Sequence, residues 1–247
     1  MSNKQSVCIF LNSQSANSYI NGYTSECMFI LPTITIPKKS KVSISVQTAS
    51  IPYSFYNCDD FNSKIVYIEN SNTYTKYIPQ GNYNVNSLII ALKLLLGVNF
   101  NIVYSSLDNS YTFTNSLYDF QLLSSSLCFE ILGFKEGSSY SSNNRILKSN
   151  ISINLFTIRN IYITSNNLML NNVNSSTPNN SSILCSIPIT SSHGSIISYS
   201  NIYDVKNEVY HTNNLNLMHI KLTDQDCDLI DLNGCHFSLT LQLDITK

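Results

Sequence analysis

The alternation of apolar and polar residues near the end of the chain, in Leu217-Met-His-Ile-Lys-Leu-Thr223 and again in Phe237-Ser-Leu-Thr-Leu-Gln-Leu-Asp-Ile245, constrains the fold most. A period of two sends successive side chains to opposite faces of a strand, so each run reads as a strand with one face in a core and one in solvent. The Asp/Asn/Gly-rich stretch between them predicts a β-hairpin that closes a sheet. The same grammar recurs through most of the chain. Val42, Ile44 and Val46 alternate with Ser43 and Ser45, Cys27–Leu31 precedes Ile34–Ile36, and Ile51–Tyr56 follows. Pro37 and Pro52 lack a backbone donor and mark strand ends or edges.

Residues 62–135 read differently. Lys64–Ile68 and Tyr74–Ile78 form a hairpin across Asn70-Ser-Asn72, and Phe100–Tyr104 pairs with Tyr111–Thr114 over Asp108-Asn-Ser110. Between the hairpins, Val85, Leu88, Ile89, Leu92 and Leu96 lie at helical spacing after Asn84 as N-cap and before Gly97 as stop. A shorter helix around Leu127–Phe134 is ended by Gly133. This order predicts a small α+β insertion at 62–135. Residues 1–24 read as an N-terminal arm ordered by a neighbour, with Val7–Leu11 strand-like, and 136–150 read as linker. Strands then resume at Ile151–Leu155, Asn160–Ile163, Ile183–Ile189 and Ser195–Tyr199, with a polar loop over Asn171–Ser182. The strands outside the insertion number roughly eight, as in a jelly roll.

Composition narrows the function. The 247 residues are 43% hydrophobic but only 12% charged, against about 25% charged in an ordinary domain. Asn and Ser fill much of the deficit, which an AT-rich coding genome would favour whatever the function. With a net charge of −1 the chain lacks the basic footprint of a nucleic-acid or anionic-membrane binder, and weak self-repulsion suits a subunit that packs against copies. The longest apolar run, Leu88–Leu96, contains Lys93 and falls short of the ~20 residues of a membrane span. No signal peptide is apparent, and the chain reads as soluble. Its seven cysteines are dispersed without a CxxC pair, which points to reduced, small apolar residues. The sequons at Asn150, Asn174, Asn179 and Asn180 are expected by chance in so Asn/Ser-rich a chain.

Candidate sites are few. Asp224, Asp226, Asp228 and Asp231 invite a calcium-loop reading, but Leu229 occupies the position that needs Gly and Cys235 the one that needs Glu, so a solvated turn is expected. His211, His219, His236 and Cys235 would ligate a metal only if the fold gathered them; His219 and His236 would meet across the predicted hairpin. Ser192-His193-Gly194 holds a Ser-His neighbour without a nucleophile elbow, and seven glycines supply no phosphate-cradling loop. No catalytic, cofactor-binding or metal residues are assigned, and no cofactor is expected. Tyr140, Tyr199, Tyr203 and Tyr210 admit sugar stacking, although tyrosine also serves strands and interfaces.

Three landmarks carry a resemblance. They are Ala49-Ser-Ile-Pro-Tyr-Ser54; Gly81-Asn-Tyr83 before the Leu-rich helix, with Leu132-Gly-Phe134 beyond it; and Ile220-Lys-Leu-Thr-Asp224 leading to Ile230-Asp-Leu-Asn-Gly234 and the Phe237–Leu241 run. Together, over about residues 25–247, they resemble the minor capsid (penton) proteins of virophages and of Polinton-like and adintovirus-like elements. The chain departs from that pattern at Cys227-Asp228, where Gly is expected. The resemblance implies a mainly β protein, a single jelly-roll β-sandwich over 25–61 and 136–247 interrupted by the 62–135 insertion. It implies a non-enzymatic structural protein of the virion, assembled in the host cytoplasm, that forms homopentamers at capsid vertices beside the major capsid protein. The insertion would project outward for receptor contact or vertex packing. The implied partners are further copies, the major capsid protein and a host receptor or glycan, with no nucleic acid and no membrane span. Two rival readings are a sugar- or receptor-binding, fibre-like attachment protein on a β scaffold, and a hydrolase with a His/Asp pocket.

Overall fold

The computed structural model describes residues 4–170, 172–174, 177–210 and 214–247. They form two compact units: Met1–Phe55 with Ile158–Lys247, and Tyr56–Thr157 inserted between them.

The first unit begins with β1 (Lys4–Asn12), β2 (Ser18–Tyr19), β3 (Glu26–Thr35) and β4 (Lys41–Pro52). The second contains β5 (Lys64–Glu69), β6 (Asn72–Tyr77), α1 (Val85–Leu96), β7 (Phe100–Ser105), β8 (Ser110–Asn115), β9 (Phe120–Leu122), α2 (Phe129–Leu132), β10 (Tyr140–Ser141) and β11 (Ile146–Lys148). The first unit resumes with β12 (Asn160–Thr164), β13 (Met169–Leu170), β14 (Asn172–Asn174), β15 (Thr177–Ser181), β16 (Ile183–Pro188), β17 (Ile196–Ser200), β18 (Asn207–Tyr210), β19 (Asn214–Thr223) and β20 (Ser238–Thr246).

The first unit is a jelly-roll β-sandwich of two antiparallel sheets. One runs β1-β20-β4-β18-β13, with β17 also on β4; the other runs β16-β12-β19-β3-β2. Period-two patterning decides what lies between them. Ile9 and Leu11, Val42, Ile44 and Val46, and Leu239, Leu241 and Leu243 of the first sheet share one buried cluster with Phe29, Ile161, Ile163, Met218, Ile220 and Leu222 of the second. Each such side chain contributes roughly 1.5–3 kcal/mol when fully buried. Their polar alternates form the outer faces.

Several expectations are corrected here. Both terminal runs are strands, but they do not pair: β19 lies between β12 and β3, while β20 lies between β1 and β4. The segment between them carries the chain from one sheet to the other, because alternation specifies a buried face without specifying a neighbour. The arm at 1–24 contains a strand paired along its whole length with β20, from Lys4↔Thr246 to Asn12↔Ser238. Asn171–Ser182, expected as a loop, contains the paired strands β14 and β15. Ile151–Leu155, expected as a strand, belongs to none.

The inserted unit is wider than 62–135. The stretch expected as linker supplies β10, which pairs with β9, and β11, which pairs with β8. Two sheets, β10-β9-β5-β6 and β11-β8-β7, surround a core with α1 and α2. Here the local chemistry holds as read. Asn70 and Ser71 take the positive φ of a two-residue hairpin turn. The Asn84 side chain accepts from the N–H groups of Asn86 and Ser87 at 3.0 and 2.9 Å, and Ser87 closes a capping box. Leu88, Leu92 and Leu96 bury one face of α1. Gly133 ends α2 at φ +75°, where an added Cβ would lie 2.7 Å from the Ile151 carbonyl oxygen.

Candidate functional site

The acidic turn uses its carboxylates on itself. Asp224 Oδ1 accepts from the N–H groups of Asp226 and Asp228, both at 2.9 Å, and Asp231 Oδ1 accepts from Asn233 N–H at 2.8 Å. Burial, with Asp228 and Asp226 adding to it, pushes the Asp224 carboxyl up despite those backbone donors. Cys227, where glycine was expected, takes φ +71°, so the turn keeps a glycine-like backbone with a side chain on it. Among the described residues no group of three or more His, Cys, Asp or Glu is placed to hold a metal.

The histidines are separated. His219 Nε2 lies 3.2 Å from Glu26 Oε1, and His236 Nδ1 lies 3.1 Å from Ser13 Oγ. They stand on opposite sheets or their connection, so they do not meet. His211 falls outside the described residues. The Ser13–His236 pair, 223 residues apart in sequence, was not foreseen. It holds structure rather than a nucleophile: Ser13 is wholly buried and its Oγ also accepts from Phe237 N–H at 2.9 Å. His193 meets Tyr53 edge-on, 5.5 Å between ring centroids.

The four tyrosines form no single stacking platform. Tyr140 packs on Phe134 and Phe129 in the inserted unit and donates to the Lys135 carbonyl at 2.7 Å. Tyr199 packs against the sandwich core, while Tyr203 and Tyr210 are exposed. The buried thiols Cys27 and Cys58 are pushed up to about 12 by burial, with Glu26 and Asp59 adding to it, and are chemically quiet. The inserted unit has a small cavity of about 20 Å³ among Tyr67, Phe100, Phe113, Phe120, Leu132 and Phe134. That is far below the ~300 Å³ of a small-molecule pocket.

The most elaborate polar cluster was not legible from motifs. Asp244 on β20 is 4% exposed, yet lies on the outer face opposite Ser6 of β1 and Ser43 of β4. It accepts from Ser6 Oγ at 2.6 Å and Gln242 Nε2 at 2.9 Å, and pairs with Lys4 Nζ at 3.1 Å and Lys206 Nζ at 3.0 Å. Burial alone would raise its pKa; these four donors outweigh it and hold the carboxyl well below the usual carboxylate range. Hydrogen bonds to Asp204 and Asp244 raise Lys206 in turn. The cluster joins β1, β20 and the 201–206 loop. That loop is braced by Asn201, which bonds the backbone of Val205 twice, at 2.9 and 3.0 Å. The braced loop holds Ile202, Tyr203 and Val205 in solvent, Tyr203 at 84% exposure.

Further apolar side chains stand exposed. Phe10 on β1 is 78% exposed. On α1, Ile90 and Leu94 open a second apolar stripe opposite Leu88, Leu92 and Leu96, with Leu94 at 82%. A helix apolar on both faces is ordinarily a covered helix. Among the described residues these exposed apolar side chains and the Asp244 cluster stand out.

Comparison with solved structures bears on this. The mavirus penton protein matches with a TM-score of 0.53 at 12% sequence identity, over 98% of this chain and 99% of that one. The two share a fold from end to end. A chain of the Sputnik virophage cryo-EM structure matches at a TM-score of 0.42 and 12% identity, over 100% of this chain and 98% of that one. No protein-family model and no curated protein sequence matches the chain. Among the described residues, no helix is long and apolar enough to cross a membrane.

Proposed function

We propose that this protein is a viral capsid subunit, a penton or minor capsid protein that forms homopentamers at the vertices beside the major capsid protein. Its role is structural rather than catalytic, and its place is the virion. The observation that carries the reading is the end-to-end fold match to the mavirus penton protein, which takes in the sandwich and the inserted unit together.

Native mass spectrometry of the purified protein tests the reading. Five copies of a 27.8 kDa chain give a particle of about 139 kDa. A species that stays at 27.8 kDa at high protein concentration, with and without the major capsid protein, overturns it.

A further inference from the structure

The β4 sheet ends on one side in β1; on the other side of β4 lie β17 and β18, with β13 beyond β18. Ser13 N–H donates to the Phe237 carbonyl at 2.9 Å, and bonded pairs alternate along an antiparallel ladder, so Leu11, Ile9, Val7 and Gln5 face β20. The N–H and C=O groups of Lys4, Ser6, Cys8 and Phe10 therefore point away from the sheet, and β1 is its terminal strand. Among the described residues nothing hydrogen-bonds them. At the opposite end, Asn201 N–H donates to Gln47 O and Tyr53 N–H to Ser195 O. By the same alternation, Ile197 and Tyr199 face β4, while Ile196 and Ser198 point outward.

Edge strands usually carry devices against pairing, such as proline, free charges or short length. The part of β3 beyond β2 contains Pro32 and β16 ends in Pro188. The nine-residue β1 has no proline, and its single charge, Lys4, is engaged by Asp244. Among the described residues, β1 is a long edge strand that lacks these devices.

We propose that β1 is a strand-addition site whose occupant is β17 of a second copy, so that the β4 sheet runs on from one subunit into the next. Strand direction fits. β1 is antiparallel to β20, β20 to β4, and β17 to β4, so β1 and β17 run in opposite directions. A neighbour related by rotation about an axis near the strand direction presents β17 antiparallel to β1. The outward-bonding residues of both strands carry their side chains on the outer face, so Phe10 and the neighbour's Ile196, both exposed here, share one face of the joint. Joining two different edges head to tail is a heterologous contact, the type that closes rings of more than two subunits. The inference rests on the assembly reading above.

The test is Cys8→Pro in the full chain. Cys8 N–H is unused within the subunit, and proline is tolerated on an edge strand whose N–H faces solvent, so the subunit keeps its fold while the joint loses a central donor. Association is expected to weaken at least about tenfold per contact. Hydrogen exchange on the unsubstituted protein gives a second readout. On assembly, the amides of Ser6, Cys8, Phe10, Ile196 and Ser198 become protected together. Assembly of Cys8→Pro at the unsubstituted concentration, or continued fast exchange of either strand in the assembled particle, overturns the joint. Failure of the unsubstituted protein to assemble at all is instead a failure of the capsid reading.

Discussion

Replacing Asp244 by alanine should destabilise the sandwich by about 2–3 kcal/mol at neutral pH. Breaking a buried ion pair from one side costs about 3–5 kcal/mol, because the remaining charge is left without a partner. Here the groups left behind are lysines: Lys4 is half exposed, and Lys206, about one quarter exposed, keeps Asp204 at 2.9 Å, so part of that loss is recovered. Ser6 and Gln242 also lose their acceptor. The pH dependence follows from the direction of the shift. A carboxyl whose folded pKa lies below its unfolded value stabilises fully above the unfolded value, about pH 4, and loses that contribution as pH falls towards the folded one. Urea unfolding of both proteins at several pH values measures this. The gap between them should be full from pH 7 to about pH 5 and shrink below pH 4. A gap under ~0.5 kcal/mol at pH 7, or one unchanged between pH 7 and pH 3, refutes the account of Asp244 as a charged clamp on β1.

Two further outcomes concern the inserted unit. Gly133→Ala should cost about 2–4 kcal/mol in chemical denaturation, since it adds a left-handed backbone penalty to a contact at 2.7 Å with the Ile151 carbonyl. Asn84→Ala removes the one side-chain oxygen that accepts both capping hydrogen bonds of α1 and should cost about 1 kcal/mol, seen as faster exchange of the Asn86 and Ser87 amides.

What was legible in the sequence was local. The 64–78 and 100–114 hairpins, the Asn84 cap and the Gly97 and Gly133 stops depend on residues a few positions apart, and the structure keeps them. Partners distant in sequence were not legible. Nothing in the β19 or β20 patterns shows that β19 joins β3 while β20 joins β1, because both strands need only one buried and one exposed face. The 136–150 stretch is polar enough to read as linker, yet Leu147 alone is buried in β11 and the backbone ladder does the rest. The same limit hid Asp244. Its partners Lys4, Ser6 and Lys206 come from strands and loops that only the finished sheet brings together.

The position of β20 also bears on when the subunit becomes competent. It is the strand furthest along these residues, yet it occupies an interior place between β1 and β4. Tyr56–Thr157 is continuous and can collapse during translation, whereas the sandwich has a gap in one sheet until residues 238–246 emerge. Before then β1 lacks the strand that aligns it, so the edge proposed above as the joint is not yet formed. Under the proposed β1–β17 joint, the order of synthesis would delay self-association until residues 238–246 are made.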